Sequence, residues 1–211
     1  MNAELFLSPL FHFHYLISAV PQLLLLIYII SMRRDNFSQR FGISIPRMGD
    51  LGYSFVTFLG VLALAMAAGA VASSFGADPP FFSEAPGGDS AVTAGPLLSP
   101  SSPFAYILIL ITCTVIGYHE ELFFRAYLLT EFVEIRQDRS FLRSRTTATV
   151  CAGALLFATG HLYQGPAGFL GTFAIGVFLS FRYLRRRSLH EVALAHGLYN
   201  FTAVLFLLHY S

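Results

Sequence analysis

The chain has 211 residues, 55% hydrophobic and 12% charged, with a formal net charge of +1 and a mean hydropathy of +0.63. Soluble domains carry about 25% charged residues, so the composition excludes a soluble globular domain. It also lacks the basic surplus that would point to a nucleic-acid partner.

Taken in order, the first apolar span covers about Phe11 to Met32 and contains Pro21, which membrane helices tolerate. Glu4 and the lack of any basic residue before this span argue against a cleaved signal peptide. Arg33, Arg34, Arg40 and Arg47 follow in a polar connector. A second span, about Leu51 to Phe75, is rich in Ala and Gly and suits close helix packing. Residues 76–103 form the longest loop, with six Pro, four Gly and no Arg. A third, long helix is expected from about Pro103 to Arg136, followed by a basic connector with Arg139, Arg143 and Arg145. Spans four, five and six are expected at about Thr146–Tyr163, Ala167–Leu184 and Leu189–Leu208. Each approaches the ~20 residues that cross a bilayer. The fold class is therefore all-α: a polytopic membrane helical bundle of about six transmembrane helices, forming one domain over 1–211 with its core at about 103–208.

There is no Lys, and twelve of the thirteen Arg residues sit in or beside the connectors after spans one, three and five. The positive-inside rule puts those connectors in the cytoplasm and both termini and the 76–103 loop outside. The expected location is the plasma or inner membrane of a prokaryotic cell. Cys113 and Cys151 lie in apolar runs and read as buried thiols, not as a disulfide or a metal site.

The exceptional Arg is Arg125, in the stretch Gly117-Tyr118-His119-Glu120-Glu121-Leu122-Phe123-Phe124-Arg125. Ionisable residues inside an apolar span are costly and mark a functional site by default. Glu121 and Arg125 are four apart and share a helix face, so they can pair. Glu120 points about 100° away and is left available for chemistry. Two other spans carry polar residues at the same spacing: Phe157 with His161, and His196 with Asn200. Counted from Arg136, Arg145 and Arg187, residues Glu120, His161 and Asn200 lie about 24, 24 and 20 Å along their helices. A carboxylate, an imidazole and a carboxamide thus converge on one depth. Each alone reads as a helix–helix hydrogen bond; together they suggest a site. His119 has no helical partner in this set, and His12, His14 and His209 read as interfacial. His190-Glu191 lacks the second His of a zinc-protease motif.

The series Glu120-Glu121-x-x-x-Arg125, Phe157-x-x-x-His161, His196-x-x-x-Asn200 resembles the CAAX protease and bacteriocin-processing (CPBP, or Abi) family of intramembrane glutamic endopeptidases. The resemblance runs from Glu120 to Asn200. It implies that Glu120 is the catalytic glutamate and that His161 helps to hold and activate water. It further implies that His196 and Asn200 stabilise the oxyanion, that Glu121 and Arg125 support the site, and that no cofactor is needed. The implied partners are the lipid bilayer and a membrane protein or lipid-associated peptide: a CAAX-like tail, a bacteriocin-like leader or a C-terminal membrane anchor. The chemistry is consistent, because metal-free peptide hydrolysis needs a base for water and donors for the oxyanion. Phe157 packs near His161, and Gly117, Gly153, Gly160 and Gly197 are expected to leave room for water. Two other readings compete. Glu120, His161 and His196 could hold a divalent metal, or the polar set could merely hold together a non-catalytic scaffold or immunity protein.

Overall fold

Without water to bind them, backbone groups in a lipid core must bond within their own segment, and helices do this. The structure, a computed structural model, describes residues 6–32, 36–76, 98–99, 102–135 and 142–210, and these are helical almost throughout. Most of the expected 76–103 loop lies outside the described residues, as do Arg33, Arg34, Arg136 and Arg139. The helices are α1 (Pro9–Ser31), the short α2 (Phe37–Arg40), α3 (Met48–Ser74), α4 (Pro103–Glu121), α5 (Thr130–Ile135), α6 (Leu142–Thr159), α7 (Gly165–Arg186) and α8 (Leu189–Tyr210). A π-helical segment, Leu122–Leu129, joins α4 to α5 without a break in the chain's helical course.

Among the described residues, five helical stretches are long and apolar enough to cross a membrane: Pro9–Ser31, Met48–Ser74, Pro103–Phe132, Leu162–Arg186 and Leu189–His209. The fourth expected span is shorter, with an apolar part of only Thr146–Thr159. Its helix stops four residues before the expected Tyr163. Gly160 weakens it, and Gly165 (φ 74°) with Pro166 starts α7 after one 3-10 turn, Leu162–Gln164.

The most extensive pairing is α4 with α8; α3 packs on α7 and α8, α6 on α7, and α1 on α4. Along α4 and α8, Tyr118 meets His190, Gly117 meets Gly197, and Ile109 shares an apolar cluster with Val204, so this pair is antiparallel. A Cβ on Gly117 would strike the Ala193 carbonyl, and one on Gly197 would lie 3.0 Å from the Cys113 carbonyl oxygen. These glycines are the crossing point of the two helices. The expectation that they leave room for water is corrected here: their missing side chains are filled by the opposing backbone, as small-residue membrane interfaces require.

One end of the bundle is tied together by polar contacts. Glu191 (fully buried) pairs with Arg182 Nη2 and Arg186 Nε, each at 2.6 Å, and accepts from Thr57 Oγ1 at 2.8 Å. Arg40 pairs with Glu131 at 3.2 Å, and Leu189 N donates to Gly42 O at 2.9 Å. His190 Nε2 donates to Ser44 O, which leaves Nδ1 to accept from Tyr118 Oη at 2.8 Å. Behind these ties lies the main apolar core, including Phe41, Leu122, Leu129, Tyr183 and Val192, each no more than 3% exposed. His12, expected at the interface, is instead 1% exposed. Its Nε2 donates to Phe6 O at 2.9 Å and its Nδ1 accepts from Thr112 Oγ1 at 2.8 Å. A histidine can be buried when both nitrogens are bonded.

Candidate active site

Glu120 and Glu121 end α4 three and four residues beyond the Gly117 crossing, so the close approach of α8 brings His196 between them. His196 Nδ1 donates to Glu121 Oε1 at 2.9 Å, and its Nε2 stands 3.8 Å from Glu120 Oε2. The second distance exceeds a direct hydrogen bond. Glu121 is fully buried and His196 is 5% exposed, whereas 26% of the Glu120 side chain is accessible. Glu120 Oε2 makes no hydrogen bond to the protein. A shielded carboxylate oxygen without a protein donor is free to accept a ligand's proton.

The π segment aims Arg125 inward. Opening the helix to i→i+5 spacing is rare and frequent at functional sites; here Thr130 Oγ1 bonds back to the carbonyl of Arg125, five residues earlier, at 3.4 Å. Arg125 is 1% exposed, and its Nη1 lies 3.0 Å from Glu121 Oε1. Its Nη2 donates to Gly176 O at 3.3 Å, and its guanidinium stacks 4.4 Å from the Phe157 ring centre. One oxygen of Glu121 therefore meets both Arg125 and His196. The pairing with Arg125 was expected from the spacing; the link to His196 was not.

Phe157 is the spacer of the site. Its ring touches Arg125 on one side and lies edge-on to His196 (centroids 5.9 Å) and tilted against His161 (4.9 Å) on the others. Close approach of α6 and α7 holds it there, since a Cβ on Gly176 would be 3.1 Å from Ala154 Cβ and 3.3 Å from the Phe157 ring. His161 was expected on the helix, one turn beyond Phe157; it sits instead just past the end of α6. Its Nδ1 donates to Phe157 O at 3.1 Å, so in the neutral ring Nε2 is the acceptor.

Glu120, His161, His196 and Asn200 all line one cavity of about 350 Å³, with Phe157 in its wall. The Asn200 side chain makes no hydrogen bond among the described residues. Helices outside the three motifs also contribute to the wall: Phe6, Phe11 and Tyr15 at the start of the chain, and Ala65 and Ala68 from α3. Nothing in the sequence distinguishes these residues from lipid-facing ones. Cys113 is buried and reaches the cavity, while Cys151 is partly exposed. Among the described residues, no three His, Cys, Asp or Glu side chains are grouped to hold a metal ion.

Residues 102–202 match the family described as Rce1-like, type II CAAX prenyl endopeptidase Rce1-like. No curated protein and no solved structure matches the chain.

Proposed function

We propose, from the match of residues 102–202 to the Rce1-like CAAX prenyl endopeptidase family, that the chain is a metal-independent glutamic endopeptidase acting on a membrane-associated polypeptide. The observation that carries this reading is Glu120: a carboxylate at the floor of a cavity in an apolar bundle, with an oxygen that no protein group donates to.

In the proposed reaction, Glu120 takes a proton from a water molecule, and the hydroxide attacks the scissile carbonyl. His161 Nε2, left as an acceptor by the bond from Nδ1 to Phe157, orients that water. His196 and Asn200 stabilise the oxyanion, each donor contributing about 3 kcal/mol by the usual cost of losing one. For His196 to donate from Nε2 while Nδ1 donates to Glu121, its ring must carry a proton on each nitrogen. Collapse of the tetrahedral intermediate breaks the C–N bond, and protonated Glu120 returns its proton to the leaving amine. Glu121 and Arg125 act indirectly, by fixing the orientation of His196.

A scaffold needs the buried Glu121–Arg125–His196 contacts but has no use for a cavity or for an unbonded Glu120 oxygen. A metal enzyme needs a ligand cluster, which the donor geometry among the described residues does not favour. Comparing protein termini in cells carrying wild-type protein and Glu120→Gln tests the proposal. Termini that vanish in the variant support it; identical termini in both cells would refute it. EDTA should leave the purified enzyme's rate unchanged, and inhibition reversed by added zinc would favour the metal reading.

A further inference from the structure

We infer that the cavity is reached from the extracytoplasmic side, so that the substrate is a polypeptide segment presented at the outer leaflet, such as the membrane anchor of an exported protein. Three observations converge on this, and none of them is the family resemblance.

The first is which half of each helix lines the cavity. On α4 the lining residues are Cys113, Ile116 and Glu120, all at or before the glutamate level. On antiparallel α8 they run the other way, from His196 to Leu207. On α7 they are confined to the first half, from Gly168 to Ile175, and on α3 to the second half, at Ala65 and Ala68. Each of these helices thus gives the cavity the half that points to the same end of the bundle. That end holds the start of α1, the 161–164 turn and the close of α8.

The second observation is what closes the other end. Beyond Glu120 and Glu121 the chain packs as Leu122, Ala126 and Leu129 against Tyr183, Leu189 and Val192, all within 3% of full burial. Past that layer come the Glu191–Arg182–Arg186 ion pairs, the His190–Ser44 bond and the Arg40–Glu131 pair. A peptide arriving from that side would have to break a packed core and several buried polar ties.

The third is charge. The closed end carries Arg40, Arg47, Arg182, Arg185, Arg186 and Arg187, and α6 begins there with Arg143 and Arg145. The open end has no Arg in α1, in the 161–167 turn or in the last half of α8. By the positive-inside rule the closed end is cytoplasmic. The substrate class rests on the hydrolase reading above; the direction of access does not.

Single cysteines in full-length protein lacking Cys113 and Cys151 (both changed to Ala) test the direction. Ala203→Cys on α8 and Ala68→Cys on α3 report the cavity, and two positions keep the test standing if one variant does not fold. Ile45→Cys, at a residue 87% exposed beside the arginine-rich end, reports that side. With a membrane-impermeant thiol reagent, both cavity cysteines should react in intact cells, and Ile45→Cys only after permeabilisation. Cavity cysteines that follow Ile45→Cys, or that react from neither side, would overturn the inference. Because labelling reads access and not turnover, adding Glu120→Gln should leave it unchanged. Outside labelling together with unchanged termini would sink the hydrolase reading while upholding the direction of access.

Discussion

His196 and Arg125, on different helices, meet the same oxygen of Glu121, at 2.9 and 3.0 Å. That shared oxygen joins the buried ion pair to the histidine facing Glu120, so the two adjacent glutamates have different surroundings and should fail differently when changed.

Glu120→Gln is expected to keep the melting temperature near wild type and to abolish cleavage, since glutamine is nearly isosteric but cannot take up a proton. Glu121→Gln removes the charge facing fully buried Arg125 and should destabilise the protein by about 3–5 kcal/mol, as breaking a buried pair does. Thermal unfolding in detergent decides between them. A lower melting temperature for Glu120→Gln alone would reverse the roles.

The α4–α8 crossing makes a second pair of variants informative. Gly117→Ala would push a methyl group into the Ala193 carbonyl, and overpacking of this kind costs about 1–3 kcal/mol. The displaced α8 should also move His196 away from the glutamates and lower activity. Gly153→Ala meets nothing within 4 Å, and the better helix propensity of Ala should leave it neutral or slightly more stable. Equal losses in both would mean that the crossing does not position the site.

Asn200→Ala should lower kcat by about 10²–10³ with little change in KM, as loss of one oxyanion donor does. Combined with Glu120→Ala it should cost little beyond Glu120→Ala alone, because residues acting as a unit are not additive. A quenched peptide spanning a mapped cleavage site provides the assay. Full activity in Asn200→Ala would remove it from the mechanism.

Much of the helical layout could be read from hydropathy, and Glu120, Glu121 and Arg125 stood out because ionisable residues are rare in apolar spans. The Glu121–Arg125 pair follows from spacing within one helix. The bond from Glu121 to His196 does not, because it depends on how α8 is rotated against α4. The Gly117–Gly197 contact sets that rotation, and in sequence those glycines could not be told from residues that merely leave space. His161 fell beyond its helix because Gly160, Gly165 and Pro166 shorten α6, a local effect that outweighed the Phe-x-x-x-His spacing. Arg182 read as a connector cation, yet it is drawn against buried Glu191, which only tertiary packing could reveal. The α1 contribution to the cavity was not legible, since Tyr15 in an apolar run looks like any interfacial tyrosine.

The short sixth helix has a consequence in the lipid. The apolar part of α6, Thr146–Thr159, is about 21 Å long at 1.5 Å per residue, against a hydrocarbon layer of about 30 Å. Mismatch of this sort is relieved by thinning the bilayer around the short segment. Thinning on that flank would draw the headgroup layer, and the water within it, toward the turn that carries His161. Turnover in reconstituted vesicles should therefore fall as the acyl chains are lengthened at constant headgroup, with the flank of α6 acting as the thickness gauge.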